Sequence, residues 1–109
     1  MASEVLKETT VRAMTNVENA LLTAASGHTY TIISITICET GAAAEAFDLY
    51  LDPAASGNNT FIYKSQALGA NETFEHTGRI VLEATDVLYG IAGSSANIDV
   101  FITYLDQTL

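Results

Sequence analysis

The sequence predicts an all-β protein: a single antiparallel β-sandwich, jelly-roll-like, of seven or eight short strands with an N-terminal arm. Three observations predict it. Apolar and polar side chains alternate with a period of two along several segments. Clusters of Gly, Asn, Asp and Ser recur every 8–15 residues as turn signals. Residue usage favours strands, with 14 Thr, 9 Ile and 6 Val against one Pro and no Trp.

The 109 residues make one domain, and with 49% hydrophobic residues there is ample apolar surface to bury. Residues 1–19 read as the arm and 20–109 as the sandwich. Val5, Leu6, Val11 and Met14 fit neither period well, so the arm is either a strand or a short helix. Thr9, Thr10 and Val11 favour the strand.

The elements follow in order. Ala20–Ala24 is a short strand, turned at Ala25–His28, where Gly27 supplies backbone freedom. Tyr30–Cys38 is the clearest strand: Ile33, Ile35 and Ile37 share one face, and Ser34 and Thr36 the other. Glu39–Glu45 is a loop, and Ala42–Ala46 has the composition of a helical turn but is too short to hold one unaided. In the next strand, Phe47, Leu49 and Leu51 oppose Asp48, Tyr50 and Asp52, and Pro53 stops it. Thr60–Ser65 and the polar Thr73–Thr77 follow as strands. Arg79–Ala92 reads as two short strands with a tight turn at Glu83–Asp86, and Gly90 and Gly93 mark a bulge or close approach. Asn97–Leu105 ends the fold, with Ile98, Val100, Ile102 and Tyr104 on one face. Phe101 and Leu105 on the other predict cover on both faces.

Composition narrows the function. Thirteen acidic residues against four basic ones give a net charge of −9, which repels phosphate backbones, so nucleic acid is not an expected partner. No apolar run approaches the ~20 residues that span a bilayer, and no membrane partner is expected. Met1–Thr10 lacks a basic start followed by an apolar stretch, so no signal peptide is expected. The single Cys38 has no partner for an intrachain disulfide and reads as a small buried strand residue, in keeping with synthesis in a reducing cytoplasm.

The search for chemistry is negative, and the chain is expected not to be an enzyme. There is no His-x-His, His-Glu-x-x-His, Cys-x-x-Cys, nucleophile elbow or phosphate loop, so no catalytic, cofactor or metal residue is assigned. His28 and His76 read as ordinary surface residues. Asp48 and Asp52, four apart on one strand, stand roughly 13 Å apart, beyond a hydrolytic carboxylate pair. They read as solvating a sheet face. The two Asn-x-Thr sequons at Asn58 and Asn71 are chance without a secretory signal. Tyr30, Tyr50, Tyr63, Tyr89 and Tyr104 suit either an aromatic sugar platform or a core rim and subunit interface.

The segment order carries a resemblance. Ala20–Thr40 (Ala-Leu-Leu-Thr-Ala-Ala-Ser-Gly-His-Thr-Tyr-Thr-Ile-Ile-Ser-Ile-Thr-Ile-Cys-Glu-Thr) precedes Phe-Asp-Leu-Tyr-Leu at 47–51. A Leu-x-x-x-Asp-x-Leu segment at 82–88 then leads into Ile-Asp-Val-Phe-Ile-Thr-Tyr-Leu-Asp at 98–106. Over Ala20–Asp106 the chain resembles small tailed-phage virion proteins with a jelly-roll or β-sandwich fold. It departs from their pattern at Thr85, where that group has Gly before the Asp. The resemblance implies a structural virion role with no catalytic residues to carry over. On it rests the expectation of a capsid cement or decoration protein that binds the major capsid protein on the outer head surface, acts as a homotrimer and is made in the host cytoplasm. A carbohydrate-binding tail or tip module is the alternative. Small sandwiches must cover exposed strand edges, and an N-terminal arm can reach a neighbour. Val5, Leu6, Val11, Tyr50 and Tyr63 are therefore the expected subunit or capsid contacts.

Overall fold

The structure, a computed structural model, describes residues 2–94 and 96–108. It contains nine strands: β1 (Ser3–Met14), β2 (Asn19–Thr23), β3 (His28–Glu39), β4 (Glu45–Asp52), β5 (Thr60–Leu68), β6 (Thr73–His76), β7 (Ile80–Leu82), β8 (Val87–Ala92) and β9 (Ile98–Thr108). A single turn of 3-10 helix at Pro53–Ala55 follows β4, where Pro cannot extend a ladder. Among the described residues, no helix is long and apolar enough to cross a membrane.

The strands form two sheets. The larger, sheet A, runs β1-β9-β3-β6, with β7 also pairing β3; the smaller, sheet B, runs β2-β8-β4-β5. Every pair is antiparallel. β6 and β7 line up along the same side of β3, against Ile35–Cys38 and Tyr30–Ile32. They are one edge strand interrupted at residues 77–79. Counted so, the described residues form eight strands and cross between sheets at every connection except the β4–β5 hairpin. That is a jelly roll.

Alternation explains the core. On β9, Ile98, Val100, Ile102 and Tyr104 point inward, and on β3 Tyr30, Ile32, Ile35 and Ile37 do. Phe47, Leu49, Leu68 and Leu88 meet them from sheet B. A register break between Ile32 and Ser34 moves Ile33 out of phase, so Tyr30 and Ile32 join Ile35 and Ile37 inside, and Ile33 is only half-buried. Gly90 lies under the core because a Cβ there would sit 2.8 Å from Met14 Sδ and 2.9 Å from Leu21 Cδ1.

Two expectations change, for the N-terminal segment and for the outer face of β9. The N-terminal segment is a strand, and it does not stand apart from the sandwich: Ser3–Val11 pairs continuously with Val100–Thr108 of the same chain. As its shortness implied, Ala42–Ala46 holds no helical turn; residues 41–43 are a bend, and Glu45 and Ala46 already belong to β4. The outer face of β9 is not covered, since Phe101 stays 40% exposed and Leu105 half-buried.

Candidate interaction surface

The expected contact residues separate into two groups. Val5 and Leu6 are 47% and 66% exposed on β1, the free edge of sheet A. Val11, further along β1, is half-buried against the core. Tyr63 is half-buried and turned into an inter-sheet cluster with Phe47 and Phe74. Tyr50 departs furthest from a surface contact. It is only 3% exposed, stacked against Tyr89 and tilted against Phe61 on the outer side of sheet B, with its hydroxyl donating to Glu18 Oε2 at 2.5 Å. Burial, more than that bond, raises its pKa well above the usual phenol range.

Opposed residues in an antiparallel ladder share a face, so the outer face of sheet A reads as rows. One row crosses the whole sheet as Leu6, Leu105, Thr31 and Val81. The next but one runs Thr10, Phe101, Thr36 and Glu75. Beside it an open groove of about 380 Å³ is lined by Thr10, Arg12, Thr36, Cys38, Asp99 and Phe101. Cys38 thus lies half-buried on the outer face of β3 and not in the core. The centre of this face carries hydroxyls and aliphatic groups, with Glu4, Glu8 and Glu75 at its margins.

Asp48 and Asp52 do not solvate a sheet face, and several other carboxylates share their role. They hold backbone. Asp48 accepts the N–H of Ser65, Asp52 that of Gly57, Asp86 those of Ala54 and Glu83, and Asp99 that of Ala13. Glu45 and Glu72 accept from Ser94 and Gly69. Glu39, 1% exposed, accepts from Gly41, Ala43 and Asn71, and so ties the loop before β4 to the loop before β6. The Asn71 N–H foremost, helped by the other two and opposed by burial, holds the Glu39 carboxyl below the usual range. Four of these N–H donors, Ala13, Ala54, Ser65 and Asn71, have φ between 50° and 58°. Non-glycine residues resist this left-handed conformation, and a carboxylate fixes each of them.

Neither histidine is a simple surface group. His28 Nδ1 lies 2.6 Å from Asp106 Oδ1, and Lys7 Nζ lies 2.8 Å from Asp106 Oδ2. His76 Nδ1 is 2.7 Å from the Tyr63 hydroxyl. The five tyrosines fall in three places. Tyr30 pairs with Tyr104 on the inner side of sheet A, Tyr50 stacks with Tyr89 outside sheet B, and Tyr63 sits between the sheets. They do not make one platform. Among the described residues, no group of three or more His, Cys, Asp and Glu side chains is placed to hold a metal ion.

These features escaped the sequence because they depend on pairs far apart along the chain. The signal available was local: a carboxylate at the end of a strand facing a turn-prone segment, as with Asp52 before Ser56–Asn59.

No family model matches the chain, and no curated protein matches it in sequence. Solved structures do resemble it in fold. A chain of the acid-stable capsid of Helicobacter pylori bacteriophage KHP30 superposes with a TM-score of 0.55 at 11% identity, over 98% of this chain and 93% of that one. A chain of the disulfide-linked pili that form Bacillus endospore appendages superposes with a TM-score of 0.53 at 11% identity, over 100% and 88%. A Clostridium thermocellum xylanase with its carbohydrate-binding module, complexed with xylohexaose, gives a TM-score of 0.48 at 15% identity, over 96% of this chain and 25% of that one.

Proposed function

We propose that the chain is a non-enzymatic structural protein of a bacteriophage virion, of the capsid cement or decoration type. In this reading it acts as a homotrimer on the outer head surface, bridges neighbouring major capsid protein subunits and stabilises the shell. It is made in the host cytoplasm and works by contact. The observation that carries the reading is the end-to-end correspondence of its jelly roll with a chain of a phage capsid.

The geometry supports it in two further ways. Carboxylates that chemistry would need are spent on loop backbone, as the Glu39, Asp86 and Asp99 bonds illustrate. The broad outer face of sheet A is poor in charge at its centre and rich in Thr, Leu, Val and Phe, the composition of a face that meets protein. Its acidic margins and the net charge of −9 complement a basic lattice surface.

The test is quantitative mass spectrometry of purified particles, with and without this chain. The reading expects a fixed ratio of the chain to the major capsid protein, and heads that rupture at lower temperature without it. Purified particles free of the chain would sink the reading.

A further inference from the structure

The four sheet edges are built differently. β5 has two register breaks against β4, and β2 is five residues long with a break of its own. Breaks of this kind blunt both edges of sheet B against further pairing. The two edges of sheet A lack them: β6 and β7, though short, each pair β3 in unbroken register, and β1 runs from Ser3 to Val11 opposite Thr108 to Val100 without a break. The free side of β1 presents a regular row of backbone groups, flanked by Val5 on one face and Leu6 on the other, both exposed. At the opposite edge of the same sheet, in the same row as Leu6, Val81 on β7 is 51% exposed.

We propose that the β1 edge of one copy receives the β7 edge of a second copy of this chain, with Leu6 facing Val81 and Glu8 facing Arg79. Strand direction allows it. β1 and β3 both run antiparallel to β9, and β7 runs antiparallel to β3. A neighbour's β7 laid in the same sense beside β1 therefore continues the antiparallel order. Setting Leu6 opposite Val81 places Val5 opposite Leu82, Glu8 opposite Arg79, and Glu4 opposite Glu83. Arg79 is exposed and uses Nη1 on the Ile33 and Thr77 carbonyls, leaving other guanidinium donors for a carboxylate. Pairing β1 with β1 of a copy about a two-fold, Leu6 on Leu6, sets Glu4 against Glu8 twice. Like charges directly opposed destabilise a ladder, and the unlike edges set one such pair, Glu4 and Glu83, against one opposite-charge pair, Glu8 and Arg79, where β1–β1 pairing has two like-charge pairs, so charge favours the unlike edge. Joining unlike edges head to tail closes a ring when the rotation allows it. The contact deepens the homotrimer reading and rests on its self-assembly.

The test is sedimentation velocity of the full chain and of E8R, R79E, the E8R/R79E double variant, L6K and V81K, with circular dichroism to confirm folding. The wild type sediments as an oligomer. Each single variant weakens association by at least about tenfold, and the double charge swap recovers most of the loss. L6K and V81K leave the Arg79 carbonyl bonds alone and decide the matter if R79E fails to fold. A monomeric wild type overturns the proposal. So does loss of assembly in L6K with none in V81K and R79E, which marks β1–β1 pairing, or a folded double variant no better than the singles. The two readings fail separately. A chain missing from particles but oligomeric through these edges sinks only the virion reading; a chain present on particles yet indifferent to these variants sinks only the edge contact.

Discussion

Asp99 Oδ1 accepts the backbone N–H of Ala13 at 2.8 Å, at the point where β1 bulges and Ala13 adopts a φ of 56°. The bulge lets Met14 turn into the core beside Ile98 after Val11 has paired with Val100. Removing the acceptor leaves a strained residue with an unsatisfied donor. Asp99→Ala is expected to cost about 1–3 kcal/mol in chemical denaturation. Ala13→Gly relieves the left-handed penalty and is expected to be neutral or stabilising by up to about 1 kcal/mol. An Ala13→Gly variant losing as much as Asp99→Ala would contradict the strain assignment.

Thr85 takes a φ of 70° in the turn between β7 and β8. A β-branched side chain is poorly suited to that region. The turn persists because Thr85 N–H donates to Ala24 O at 2.8 Å and Asp86 N–H to Glu83 O at 3.0 Å. Thr85→Gly is therefore expected to stabilise by about 1 kcal/mol, raising the thermal midpoint by several degrees. A fall in the midpoint would contradict the account.

Lys7 and His28 meet on Asp106, which is 4% exposed and joins the first half of β1 to β9 and to the start of β3. The hydrogen bond from Lys7 foremost, and then that from His28, holds the Asp106 carboxyl below its ordinary 3.8. The same bond holds the Lys7 ammonium above its ordinary 10.5. The signs follow from linkage. The Asp106 contribution is present above about pH 4 and fades as pH falls through its lowered value; that of Lys7 is present below 10.5 and fades as pH rises past it. Hydrogen exchange should show the amides of Ser3–Glu8 that bond β9 protected between those limits and opening outside them before the core does. Asp106→Asn should open the segment at neutral pH. Unchanged protection in that variant would remove the ion pair from the account.

Two glycines separate soft from hard packing. At Gly90 an added Cβ meets side chains, Met14 Sδ and Leu21 Cδ1, which can shift. At Gly93 it meets backbone, 2.7 Å from Ala46 O, which also accepts the Gly93 N–H at 2.7 Å. Gly93→Ala is expected to cost about 3 kcal/mol and Gly90→Ala about 1–2 kcal/mol in urea unfolding. The reverse order would contradict the packing described here.

Most of the fold was legible because a period of two is a local property. The β9 faces, the Gly27 turn and the Glu83–Asp86 turn all follow from neighbouring residues, whereas on β3 the break at Ile33 puts Ile32, and not Ile33, on the face of Ile35 and Ile37. β1 was less legible. Its burial alternates only from Thr9 onward, and exposed Val5, Leu6 and Lys7 carry no core signal. The roles of the carboxylates and histidines were not legible. Asp99 finds Ala13, Glu39 finds Asn71 and Asp106 finds Lys7 only once strands distant in the sequence have paired. Tyr50 lies on the polar side of a clean alternation, yet Tyr89 and Phe61 bury it from the neighbouring strands.

An electron cryo-microscopy reconstruction of the particle that carries this chain tests its proposed role most directly. The account predicts jelly-roll density in three-fold clusters outside the head shell, touching more than one major capsid protein subunit. Intact heads with no such density, or the chain found only in the tail, would contradict it.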